Sequence, residues 1–203
     1  MSARALVANC VALALAACSL GGPAPKATTY VVEPDVPAVG EGAKSRLETL
    51  RMGNVRVAAA FAGPALVYRL DDVQFASDPY HAFIADPGGM LGSRMAEWLE
   101  SAGPFKTVVQ PASARSARLV LEAIVTELYG DFRPGRQPAA VMTIQFALVE
   151  LGGAGGKVTV ERTISRRVAL PQATPDALVR GYGRALGEIL AELSLDLARA
   201  QGG

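Results

Sequence analysis

The stretch VMTIQFALVELGGAGGKVTVERTISRRVAL, residues 141–170, decides the fold. Met142, Ile144, Phe146 and Leu148 recur at every second position, so one face of residues 141–151 is apolar. Gly152-Gly153-Ala154-Gly155-Gly156 then turns the chain. Over residues 157–170, Val158, Val160, Ile164 and Val168 fall on one face, with Thr159, Glu161, Thr163 and Ser165 on the other. A period of two marks a half-buried strand, and two such runs around a Gly-rich turn make an antiparallel hairpin.

The hairpin needs a cover for its apolar face, and the next segment supplies one. Thr174-Pro175 is a helix start, with a hydroxyl to cap and a proline at the first helical position. Leu178, Tyr182, Leu186, Ile189, Leu193 and Leu197 then form a single helical stripe, while Arg180, Arg184, Glu188, Glu192 and Asp196 lie mostly off it. Upstream, Asp86-Pro87 opens a second helix through Met90, Leu91, Met95, Trp98 and Leu99, closed by Gly103-Pro104. Further strands are expected over residues 29–33, 50–61 (Val55, Val57, Ala59 and Phe61 on one face), 65–70, 73–83, 105–109 and 118–129, with a loop over 36–44. The expected fold is α+β: a mostly antiparallel β-sheet with two main helices packed on one face, in a single domain.

The N-terminus carries a different kind of signal. Arg4 is followed by a short apolar run and then Leu15-Ala16-Ala17-Cys18, a bacterial lipobox pattern. Residues 1–17 are read as a lipoprotein signal peptide and Cys18 as the lipidation site; the competing reading is an ordinary export signal cut after Ala17. Residues 18–28, with Gly21-Gly22-Pro23-Ala24-Pro25, form the lipidated N-terminus and flexible tether, and 29–203 the domain. Stable anchoring takes more than one acyl chain, and bacterial lipoproteins generally carry three. Ser19, rather than Asp, after the lipidated residue points to the periplasmic face of the outer membrane. Cys10 falls in the discarded segment, so no intrachain disulfide is available to the mature chain. Of 20 basic residues, losing Arg4 leaves 19 against 19 acidic, which gives no basic footprint for nucleic acid.

The order of these features resembles the ABC-type transport auxiliary lipoprotein family, to which paraquat-inducible protein C belongs. The resemblance rests on the lipobox, Tyr30-Val31-Val32-Glu33-Pro34, Pro64-Ala65-Leu66-Val67-Tyr68-Arg69, and Tyr80 and Phe83 ahead of Asp86-Pro87. It continues through Leu91, Leu99, Ser101-Ala102-Gly103-Pro104-Phe105 and Val108-Val109. Family members often carry Trp just before the helix, where this chain has Phe83-Ile84-Ala85. The resemblance implies an outer-membrane-anchored component of a mammalian-cell-entry (MCE) transport system, which moves lipid between membranes. It implies a non-enzymatic scaffold that binds the MCE-domain protein, and some members form homo-oligomeric rings. A lipid- or lipoprotein-binding carrier or chaperone is the alternative.

Enzymatic chemistry finds little support in the residues. His81 is the only histidine, so no His-based triad and no His/Cys metal set can be assembled around it, and no cofactor is expected. Asp71-Asp72 reads as a solvated turn rather than an acid–base pair. Gly152 to Gly156 lacks the Lys-Ser/Thr ending of a phosphate loop. Met95 and Trp98 are expected in the core, whereas Tyr80 and Phe83, in the approach to the helix, are the candidate partner contacts. Of Arg166-Arg167, at least one is expected to be exposed.

Overall fold

The computed structural model describes residues 26–36, 47, 49–111, 113, 115–152 and 155–201. The expected signal segment, Cys18, most of the tether, nearly all of the 36–44 loop and the Gly153-Ala154 turn lie outside them. The described elements are, in chain order, β1 (Thr28–Tyr30), β2 (Leu50–Val57), β3 (Ala65–Arg69), β4 (Phe75–Phe83), α1 (Pro87–Ser101), β5 (Val108–Val109), β6 (Leu119–Asp131), β7 (Ala139–Gly152), β8 (Gly155–Ala169) and α2 (Pro175–Gln201).

Strand β6 is the spine of one sheet. Along one side β7 pairs antiparallel, from Leu119 opposite Glu150 to Asp131 opposite Ala139, and β8 pairs antiparallel beyond it. Along the other side two strands share β6 in series. β2 runs parallel beside Leu119 to Val125, and β3 runs parallel beside Gly130 and Asp131. The sheet therefore forks: β5 continues one branch beside β2, and β4 and β1 continue the other beside β3. The long ladders are antiparallel as expected, and the short β1–β4, β2–β5, β2–β6 and β3–β6 ladders make the sheet mixed.

The fork corrects the expected strand 50–61. β2 ends at Val57, and Ala59–Phe61 forms a short 3₁₀ turn where the Ala58 N–H donates to the Val125 carbonyl at 2.8 Å. At this point β6 itself changes register against β7, between Val125 and Glu127, so a straight continuation of β2 has no regular ladder to follow. A second bulge, between Leu148 and Val149, displaces Val158 from the buried face. Thr159 is the extra residue, and Val158 is 54% exposed instead of covered.

Both helices lie over one face and share one core. α1 sits on β2 and β5, α2 sits on β7 and β8, and the helices touch. Asp86 caps α1 through the Gly89 N–H at 2.8 Å. The Thr174 hydroxyl accepts from the Ala177 N–H at 3.3 Å at the start of α2. The whole predicted stripe of α2, Leu178 through Leu197, is fully buried, and each such leucine contributes on the order of 1.5–3 kcal/mol of transfer free energy. Beneath it lie Leu121, Ala123 and Val125 of β6 and Met142, Ile144, Phe146 and Leu148 of β7. The opposite face carries a small separate cluster of Val67, Tyr129 and Val141 with Phe61, beside exposed Glu122, Gln145, Glu161 and Thr163.

Candidate functional site

Four features stand outside the plain core. The first is a strap. Residues 31–35, of which 31–33 were expected to continue the first strand, leave the sheet after Tyr30 and cross α2. A side chain at Gly183 would collide with the Glu33 carbonyl oxygen, and one at Gly187 with the Asp35 carbonyl oxygen. These glycines, four apart in the helix, are the saddle that lets the backbone approach. The Asp35 N–H donates to the Gly183 carbonyl at 3.2 Å, and Trp98 Nε1 of α1 donates to the Asp35 carbonyl at 3.0 Å. Val32 is fully buried beneath the strap, and Arg94 pairs with Glu33 at 2.8 Å. Between strap and helix runs an open groove of about 620 Å³, lined by Val31, Glu33, Asp35, Val179, Arg180 and Arg184 among others.

The second feature is a buried ionic hub. Asp131, at the end of β6, is fully buried. It accepts from Arg133 Nε at 2.9 Å and Nη2 at 2.7 Å, and from Arg167 Nη1 at 2.6 Å. Hydrogen bonds from the Arg133 guanidinium outweigh burial and hold the Asp131 carboxyl far below the usual carboxylate range. Arg133 also reaches Asp72 at 2.7 Å, so it ties the β3–β4 turn to the β6–β7 turn. Arg166, the neighbour of Arg167, points the other way and pairs with Glu188 and Glu192 of α2.

The third feature surrounds Asp78 in the irregular part of β4. Its carboxylate accepts from the Tyr68 hydroxyl at 2.6 Å, the Tyr80 N–H at 2.8 Å and the His81 N–H at 3.0 Å, and lies 2.8 Å from His81 Nδ1. Burial opposes ionisation of Asp78, but these bonds prevail and keep its pKa below normal. Burial and the bond to Asp78 push the Tyr68 phenol far above its ordinary value, so it stays a neutral donor. A carboxylate saturated in this way fixes a bulged backbone and has no free lone pair to act as a general base.

The fourth feature is an edge. β8 pairs with β7 alone, so the outer side of a strand of 15 residues carries no partner among the described residues. Such edges are templates for strand addition, and charges guard against indiscriminate pairing. Here Lys157, Glu161 and Arg162 are exposed, with Arg162 tied to Asp196 of α2 at 2.8 Å. Among the described residues no group of three or more His, Cys, Asp or Glu could hold a metal ion, and no helix is long and apolar enough to cross a membrane.

The family model described as ABC-type transport auxiliary lipoprotein component matches residues 30–194, from the strap to the last turns of α2. The chain belongs to this family. No curated protein matches the auxiliary lipoprotein at a significant level. Its fold is shared with a protein of Xanthomonas campestris at 17% identity and a TM-score of 0.66, covering 87% of this chain and 95% of that one. It is shared equally with an uncharacterized protein at 16% identity and a TM-score of 0.67, covering 85% of this chain and 99% of that one. The family is one of transport-associated lipoproteins and is not a known enzyme family.

Within this auxiliary lipoprotein the two candidate contacts separate. Tyr80 is 43% exposed and stands at the surface. Phe83 is 4% exposed, its ring 6.2 Å from that of Tyr182, so it is core and offers no contact surface. Met95 and Trp98 are buried as expected. The Asp71-Asp72 turn is solvent-exposed, with Asp71 accepting from the Val73 and Gln74 N–H groups at 2.7 and 2.6 Å. The strap, the hub and the β8 edge were not singled out from sequence. The available signal is Gly183 and Gly187 inside a helix, where each glycine costs about 1 kcal/mol unless something must approach closely.

Proposed function

We propose that this auxiliary lipoprotein is anchored through Cys18 to the periplasmic face of the outer membrane and serves an MCE/ABC-type intermembrane lipid transport system. It acts there as a non-enzymatic scaffold that binds the MCE-domain protein. Residues 1–17 are the signal peptide in this reading, 18–28 the lipidated tether and 29–203 the recruiting domain. The observation that carries it is the family match over residues 30–194 set directly behind the lipobox at Leu15 to Cys18. The free β8 edge supports a binding mode in which an extended segment of the MCE protein adds a strand, with main-chain hydrogen bonds giving affinity. Tyr80 is the exposed aromatic candidate for a secondary contact, and assembly into a homo-oligomeric ring belongs to the same proposal.

The groove beneath the strap is the feature that a lipid carrier would use. Four of its lining side chains are ionisable, Glu33, Asp35, Arg180 and Arg184, and it is open to solvent. A sleeve for an acyl chain is enclosed, whereas this groove is open along the helix, so it favours the scaffold reading. The test is purification of the tagged lipoprotein from solubilised envelopes. Co-elution of an MCE-domain protein supports the proposal, and a folded lipoprotein that elutes alone contradicts it.

A further inference from the structure

We propose that the end of the sheet formed by the β3–β4 turn (residues 70–74) and the β6–β7 turn (132–138) rests on the bilayer surface, with Val73 entering the lipid interface and Arg136 among the phosphate headgroups. The inference rests on the anchor reading above and adds which part of the domain meets the membrane.

Chain direction is the first argument. β1 runs parallel to β4, with Thr28 beside His81, and β4 begins at Phe75 immediately after the β3–β4 turn. The chain before Thr28 therefore leaves the domain pointing toward that turn. Arg69, opposite Phe75, and Ala65, opposite Ala82, are four residues of β3 apart, about 13 Å, because β4 is bulged between them. Cys18 to Thr28 is ten residues, which reach at most about 33–36 Å when extended. A tether drawn out to roughly half of its length thus sets the turn on the bilayer. The other end of the sheet, at Leu151 and Val158, lies in the opposite direction from Thr28, so a tether reaching it would have to double back along the sheet.

The second argument is what this end presents. Val73 is 88% exposed, the highest exposure among the large apolar side chains described. It does not sit on a loose loop. The Leu70 N–H donates to the Gln74 carbonyl at 2.9 Å, the Asp71 carboxylate binds the Val73 and Gln74 N–H groups, and Arg133 clamps Asp72. Phe75, 44% exposed, stands beside it under the Arg69 guanidinium. The charges are arranged to suit a phosphate surface. Asp71 is turned inward to backbone donors and Asp72 is matched by Arg133 and Arg69. Arg136 and Lys26 are exposed cations with no carboxylate partner among the described residues. An exposed apolar apex at the same end of the sheet as a free Arg136 fits an anionic lipid interface.

The test uses the full lipidated protein in vesicles of phosphatidylethanolamine and phosphatidylglycerol. A polarity-sensitive fluorophore is placed on Val73→Cys and, as the distal control, on Val158→Cys. Emission from position 73 is expected to shift to the blue and lose more than half its intensity to lipids carrying a nitroxide near the headgroup, with position 158 unaffected. Arg136→Glu is expected to weaken that quenching. Protein that floats with the vesicles while both labels report water overturns the proposal and leaves the anchor intact. A blue shift at 73 without lipid quenching assigns the turn to a protein contact and also overturns it. Protein that does not float removes the anchor reading and this inference together.

Discussion

Gly183→Ala puts the strap to a quantitative test. In an open helix the change stabilises by about 1 kcal/mol, because glycine has the greater backbone freedom to lose. Here the new methyl collides with the Glu33 carbonyl oxygen, so the strap must lift. Lifting it breaks the Asp35–Gly183 bond at 3.2 Å and the Trp98–Asp35 bond at 3.0 Å, each worth about 1 kcal/mol. It also uncovers part of fully buried Val32, worth on the order of 1 kcal/mol more. The expected net loss is about 2 kcal/mol, or roughly 4–8 °C in Tm for a domain of this size. Urea unfolding measures the loss. Trp98, the only tryptophan, reports the strap itself, and its native emission should shift to the red. Gly89→Ala is the control, since its methyl would meet only Asp86 Oδ2 at 3.6 Å and should be neutral or slightly stabilising. Equal stability and unchanged Trp98 emission in Gly183→Ala would refute the strap as a fixed element.

Three further outcomes follow from the same structure. Asp131→Asn should destabilise by about 2–3 kcal/mol near neutral pH, because Arg133 and Arg167 lose the carboxylate they converge on, with the upper value limited by the 46% exposure of Arg167. The folded Asp131 pKa lies below its unfolded value of about 3.9, so this stabilisation is full above pH 5 and fades as pH falls below about 4 toward the folded value. Melting curves of wild type and variant should therefore stay parallel from pH 5 to 8 and converge in acid. Tyr182→Phe should be neutral or raise Tm, since the buried hydroxyl has no hydrogen-bond partner among the described residues and burial already drives its pKa well up. Cys18→Ala should move the protein from the membrane fraction to the soluble periplasm, as fractionation and palmitate labelling would show.

The parts of the fold that could be read from sequence are those whose signals are local. The Met142–Leu148 alternation of β7, the Asp86-Pro87 and Thr174-Pro175 helix starts and the Leu178–Leu197 stripe are each contained in a single segment, and each appears where expected. What escaped depends on pairings far apart in the chain. Nothing near Leu50 specifies a parallel ladder with Leu119, and nothing near Tyr68 specifies one with Gly130. Bulges are equally silent, and one inserted residue, Thr159, suffices to turn Val158 outward. Asp131 lies just past the expected strand 118–129, and although Arg133 is two residues away, its second partner Arg167 arrives only when β8 folds beside β7. Phe83 reads as part of an exposed approach to α1, yet the turn between them is so short that β4 carries it into the core under α2. Of the candidate site, the family order was legible and the strap was foreshadowed only by its helix glycines.

The central claim, that this domain is a docking platform for the MCE-domain protein, is tested most directly by titrating the purified lipoprotein with that protein and measuring complex formation by calorimetry. The account predicts saturable binding that Thr163→Lys, an exposed charge on the β8 edge, weakens at least about tenfold without lowering Tm. Two folded proteins that give no heat of binding, and no shared peak on gel filtration, would contradict it.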